Sequence, residues 1–316
     1  DSVKEIVIDI DSISNKKASE LSLLFFERME KKVEKNKDIP LLSKIEFYKE
    51  YSKFVSHYDL QSDVFCCIEK AKKLAEKEKT SEKESYLVKP LLIELSIIEA
   101  NSLADNFETE KGAALLEKNE KKLSNDLSPK WAILKSISAL GHLYIMMGKY
   151  DRAVEKLKLV LSNIDEKEKG QPMNHLFSAY IKGKNFDEAI KQMKSCLELF
   201  FKSKNMVFER NDRNRRYFLL SSLELFFMLA IKDRNKIKDK DIKIILEKYD
   251  SSKDFIKNSW EYFSAQFLRT FLKAFLPGNF NADIPSSHIY MLIKETESNG
   301  YGKEITLVTY IQTLLI

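Results

Sequence analysis

From Lys16 onward the apolar residues recur every three or four positions between short polar breaks, the spacing of helices that each bury one face. The pattern predicts helices over about 17–35, 43–57, 62–78, 85–104, 108–123, 129–147, 150–164, 171–182, 186–203, 210–232, 239–249, 253–276 and 285–298. Some ends carry a chemical reason. Ser128 offers a capping hydroxyl before Pro129, where a missing N–H costs nothing, and Gly148 stands where a helix end accepts a left-handed residue. Leu276-Pro277-Gly278 stops the helix that carries Trp260, Phe263, Phe267 and Phe271. Before Lys16 the period changes: Ile6, Ile8 and Ile10 alternate with Val7 and Asp9, as in a strand. Residues 1–15 therefore read as an N-terminal arm or the remnant of a preceding domain.

A longer period lies over the helical one. Leu140, Tyr144, Gly148, Tyr150, Ala153, Leu157 and Val160 are followed by Leu176, Tyr180, Lys184, Phe186, Ala189, Met193 and Cys196, each 36 positions on. In the first copy Gly141 removes a side chain where two helices approach, and Ala153 lets the second helix pack closely. The second copy has Phe177 in place of that glycine, which predicts a wider crossing. Earlier in the chain, Val64, Ile68 and Ala71 fit the second-helix positions of a further pair.

Leu140-Gly141-His142-Leu143-Tyr144 with the later Ala153 resembles the tetratricopeptide repeat, clearest over 134–202. The resemblance implies an all-α chain forming a right-handed α-solenoid: repeats over 16–205 and a helical continuation or cap over 206–316. It further implies that first helices line a groove for a peptide or protein segment. Lys135, Ser138, His142, Ile145 and Met146 would then face the groove from one repeat, and Asn174, His175, Ser178 and Lys182 from the next, with Lys135 and Asn174 meeting a carboxylate or peptide backbone. Arrays of this kind occur in bacterial peptide-responsive regulators and as sensors of signalling or defence proteins; the Lys, Ile, Phe and Asn bias points to an AT-rich genome.

Composition narrows the alternatives. Only 8 Gly and 6 Pro occur in 316 residues, too few for a Gly-rich α/β fold or a β-sandwich. Net charge is +5 from 53 basic and 48 acidic side chains, and runs such as Lys70 to Lys79 and Glu117 to Lys122 alternate in sign as solvated helix faces do. Three cysteines, Cys66, Cys67 and Cys196, leave no closed set of bridges, so a reducing, cytoplasmic setting is expected. No apolar run reaches the roughly 20 residues of a membrane span, and nothing reads as a signal peptide.

Catalytic and cofactor chemistry find little footing. His57, His142, His175 and His288 are scattered without metal-ligand spacing, and the glycines form neither a P-loop nor a dinucleotide fingerprint. No enzyme activity, metal or cofactor is expected. One departure stands out: Arg210, Arg213, Arg215 and Arg216 crowd before an apolar helix. They would suit phosphate or an acidic peptide, so an alternative is nucleic-acid binding through this cluster. A second alternative is an enzyme site after Phe275, around His288.

Overall fold

The computed structural model describes residues 16–57, 61–77, 82–123, 130–201 and 213–251, together with Ala265, Gln266, Leu268, Arg269 and Leu272. Among these residues the chain is all-helical: α1 Lys16–Lys35, α2 Leu41–His57, α3 Gln61–Lys77, α4 Glu82–Asp105, α5 Thr109–Leu123, α6 Lys130–Met146, α7 Tyr150–Leu161, α8 Gly170–Lys182, α9 Phe186–Phe201, α10 Arg213–Lys232 and α11 Asp239–Ser251. Short 3-10 turns lie at Glu166–Glu168 and Arg234–Lys236. The strand-like arm at 1–15, the Ser128-Pro129 cap, Arg210, the Leu276-Pro277-Gly278 stop and the region of His288 fall outside the described residues.

Helices α4 and α5, α6 and α7, and α8 and α9 are joined in the same way. Each connection contains one residue in the left-handed region: Phe107 at φ 63°, Gly148 at φ 71° and Lys184 at φ 59°. The residue after it donates its N–H back to a carbonyl five residues earlier: Glu108 to Leu103 at 2.8 Å, Lys149 to Tyr144 at 2.8 Å and Asn185 to Tyr180 at 2.9 Å. These bonds satisfy carbonyls that a helix end would otherwise leave open, and they fix the reversal. The same residues then accept the first N–H bonds of the next helix, from Gly112, Ala153 and Ala189. Small residues thus recur at one place in all three hairpins. The sequence period located two of these turns; the third, at Phe107, lacks the glycine or matching spacing that would have marked it.

Close packing explains the small residues. A Cβ on Gly141 would stand 2.8 Å from Leu157 Cγ, and one on Gly112 would stand 2.5 Å from the Ala100 carbonyl oxygen. Neither hairpin closes this tightly around a larger side chain without shifting. The buried sets Ala153, Leu157 and Val160 on α7 and Ala189, Met193 and Cys196 on α9 follow the expected helical face. Val64, Ile68 and Ala71 of α3 are buried too.

The chain divides into two compact units, 1–164 and 165–316. The boundary expected near 205 lies inside the second unit, after α9. In the first unit α2 pairs with α3, α4 with α5 and α6 with α7, while the first members touch in sequence, α2 with α4 and α4 with α6. One of its cores gathers Phe26, Phe47, Tyr51 and Phe54 with Ile45, Val64 and Ile68, and the Phe26 and Tyr51 rings stack at 4.9 Å. In the second unit α8 pairs with α9 and touches α10, which also packs on α9 and α11. There Phe177, Phe200 and Phe201 surround Phe218, with ring centroids 5.9, 5.5 and 6.1 Å away. Burying each such ring stabilises by about 1.5–3 kcal/mol. No helix among the described residues is long and apolar enough to cross a membrane.

Candidate partner-binding face

The first unit carries a chain of charges across its three first helices. Lys49 of α2 is 5% exposed, and an ammonium so far from water requires partners. It has them: its Nζ lies 3.1 Å from Glu94 Oε2 on α4, 3.2 Å from Glu50 Oε1 and 4.0 Å from Glu46 Oε1. Glu50 also accepts from Lys53 Nζ at 2.9 Å, and Glu94 accepts from Lys135 Nζ of α6 at 2.9 Å through its other oxygen. Burial alone would raise the Glu94 carboxyl, but the hydrogen bond from Lys135 and the nearby charge of Lys49 outweigh it and hold the pKa below the ordinary carboxylate range. Burial likewise opposes the charged form of Lys49, while Glu94 and Glu50 push its pKa above the usual lysine value. The interior of this seam is therefore ionised, and its two ends, Lys53 and Lys135, reach water.

Lys135 also sits 4.8 Å from the ring centroid of Trp131, one turn earlier on α6, and Trp131 is 42% exposed. An ammonium held over an indole face gains electrostatically from the ring quadrupole. Lys135, expected to face a groove and meet a carboxylate or peptide backbone, is exposed and is engaged here by Glu94 and Trp131. Sequence reading missed Lys49, Glu50 and Glu94 altogether. Their signal was weak, because a lysine flanked by glutamates on a helix resembles any solvated face.

The remaining expected groove residues divide by burial. Met146 is exposed and His142 is half-buried, whereas Ser138 and Ile145 are interior. The reason is helical phase: Ser138, Gly141 and Ile145 share the stripe that packs inward. In the second unit Lys182 is exposed, and His175 and Ser178 are half-buried. Asn174 is buried and donates from Nδ2 to the Asn214 carbonyl at 2.6 Å, tying α8 to α10. Ser138, Ile145 and Asn174 are thus interior in this conformation.

The arginine cluster is engaged as well. The guanidinium carbons of Arg213 and Arg216 lie 5.4 and 5.8 Å from the Tyr217 ring centroid, and that of Arg215 lies 5.3 Å from Phe201. Arg213 also donates to the Tyr217 hydroxyl at 3.3 Å. Part of the Lys70 to Lys79 run is likewise not a plain solvated face. Lys70 reaches Glu30 and Glu34 of α1 at 2.8 and 3.0 Å, and Lys72 reaches Glu99 of α4 at 2.5 Å.

Nucleophile chemistry has no foothold at the described cysteines that are buried. Burial pushes the Cys67 and Cys196 thiols up to about 12, far from reactive thiolates. Among the described residues no group of three or more His, Cys, Asp or Glu side chains is arranged to hold a metal. No protein-family model matches the chain, and no curated protein is significantly similar to it.

Proposed function

We propose that the chain is a tetratricopeptide-like helical scaffold that binds a peptide or protein segment on its first helices, as the recognition part of a bacterial regulatory, signalling or defence protein. On this reading the hairpins form a right-handed α-solenoid, the chain works in the cytoplasm, and recognition rather than catalysis is its task. The observation that carries the reading is the recurring hairpin with its left-handed turn, small residue and side-by-side first helices α2, α4 and α6. Repeated hairpins of this kind cannot bury their faces alone, and stacking leaves a long surface of first helices for a partner. The charged seam adds a polar, oriented strip along that surface.

The test selects binders of the full-length chain from a displayed peptide library. Selected peptides are then measured against Lys53→Glu and Met146→Glu on the first helices, with Lys111→Glu on α5 as control; all three positions are exposed. Affinity should fall by about tenfold or more for the first-helix variants, the loss of one well-placed contact, and stay unchanged for the control. Failure to select any peptide above a scrambled pool overturns the reading. So does tight, steeply salt-dependent binding to DNA or RNA that Arg213→Glu removes and the first-helix variants leave intact.

A further inference from the structure

The Trp131, Glu94 and Lys135 group has the parts of a cation receptor with its own cation in place. Trp131 is 42% exposed, and the Lys135 ammonium over its ring also reaches Glu94, whose other oxygen is fixed by the buried Lys49. Because Lys49 holds it, the carboxylate keeps its position whether or not Lys135 is there. Lys135 is the replaceable member: its side chain is 55% exposed on a flexible stem, and exposed ion pairs contribute only about 0–1 kcal/mol.

The charge of the seam selects the sign of the ligand. Glu46, Glu50 and Glu94 surround Lys49 and Lys53, so without Lys135 the set carries one net negative charge. An anion at the place of the Lys135 ammonium meets the Glu94 carboxylate, whereas a cation replaces Lys135 one for one. Between cations the geometry favours a guanidinium. It is planar, stacks flat on an indole, and donates in its plane to the Glu94 oxygen that Lys135 vacates.

We propose that Trp131 and Glu94 form a subsite for an arginine side chain of the partner, and that Lys135 occupies it intramolecularly until the arginine displaces it. This deepens the partner-binding reading and rests on it for the chain that carries the arginine. Lys135 is then a competitor within the site and not a contact for an acidic ligand. The device sets selectivity: a segment without a cation at this register leaves Lys135 in place and gains nothing from Trp131.

The experiment uses the full chain with Trp260→Phe, so that Trp131 is the only tryptophan of the two and its fluorescence reports the site. The probes are acetyl-Gly-Arg-Gly-amide and its Lys and Gln counterparts, titrated at fixed ionic strength. Removing the internal competitor with Lys135→Ala should tighten the Arg peptide by about tenfold, with Arg ahead of Lys and no response to Gln. Adding Glu94→Gln should abolish the gain; Lys49 keeps Glu50 as partner, and a native helical signal with a cooperative urea transition shows that the fold is retained. Three results overturn the proposal: no tightening in Lys135→Ala, equal response to Arg and Gln, or an Asp peptide that binds the parent and is lost in Lys135→Ala. A library-selected peptide that binds the first helices but ignores Lys135→Ala and Glu94→Gln sinks this subsite and leaves the scaffold reading standing. Failure of the library selection with a positive arginine titration does the reverse.

Discussion

In the first unit Gly141 of α6 admits Leu157 of α7 to within contact of its backbone, and the first helices α2, α4 and α6 are linked by Lys49, Glu94 and Lys135. In the second unit Phe177 stands at the corresponding place of α8, is fully buried, and packs on Phe218 of α10. The hairpin turn is the same in both. One architecture thus accepts either an absent side chain or a large ring at the same slot, provided that a neighbouring helix supplies the complement. The lesson is that the small residue of the repeat is not required by the turn. It is required by what the facing helix brings.

Two carboxylates make the same contrast. Glu94 has two lysines beside it and stays ionised. Glu224 on α10 is held above the ordinary carboxylate range by burial, which the charge of Lys182 only partly offsets. Ammonium donors on the adjoining helix decide which way a buried acid shifts.

The largest test of the contrast exchanges the two solutions. Phe177→Ala, which brings the second unit toward the small-residue version, should lose about 3–5 kcal/mol in urea denaturation, because a fully buried ring leaves a cavity. A near-neutral result would mean that the slot wants a small residue in every copy. Gly141→Ala should lose about 1–3 kcal/mol through the clash with Leu157, even though alanine favours a helix by about 1 kcal/mol over glycine. Its sign is the useful readout: a gain in stability would show that the helices have room.

Glu94→Gln should cost about 1–3 kcal/mol at neutral pH, as expected for lost charged hydrogen bonds in a partly buried site. The two acids then predict opposite pH profiles. With its folded pKa below the unfolded value of about 4.3, Glu94 confers stability that is complete above that value and is lost as pH falls through the folded pKa. Glu94→Gln should therefore flatten the acid limb. With its folded pKa above the unfolded value, Glu224 confers stability present below about pH 4.3 and lost as pH rises toward the folded pKa. Glu224→Gln should remove that decline, and urea midpoints from pH 3 to 8 for both variants check the pair.

The smallest expected change concerns the turns. Lys184→Gly should stabilise by about 1 kcal/mol by relieving a left-handed lysine, and Gly148→Ala should lose about as much, since its surroundings are open and only the backbone conformation is strained. Equal midpoints for both variants would show that the φ values, and not the residues, are accommodated at no cost.

Helix positions were legible from the sequence because burying one face of a helix imprints a period that needs no knowledge of the neighbour. The 36-residue copy was legible for the same reason one level up. The α4–α5 hairpin escaped that search because Phe107 and Gly112 satisfy its turn and its close approach with residues other than those of the later copies. Of the expected site, Lys135 and Met146 lie at the surface, and the arginines from Arg213 to Arg216 prove to be layered on Tyr217 and Phe201. Ring contacts between a helix end and an earlier helix leave no trace in spacing.

By itself the sequence determined where the described residues from Lys16 to Ser251 are helical, which apolar positions of α7 and α9 face inward, and that two hairpins carry matching residues, since these follow from local geometry and periodic burial. Only the tertiary structure decided which charges meet. Lys49, Glu94 and Lys135 lie on three helices and are brought to about 3 Å by how α2, α4 and α6 pack. A Coulomb interaction depends on distance and desolvation, and neither is written in the order of residues along the chain.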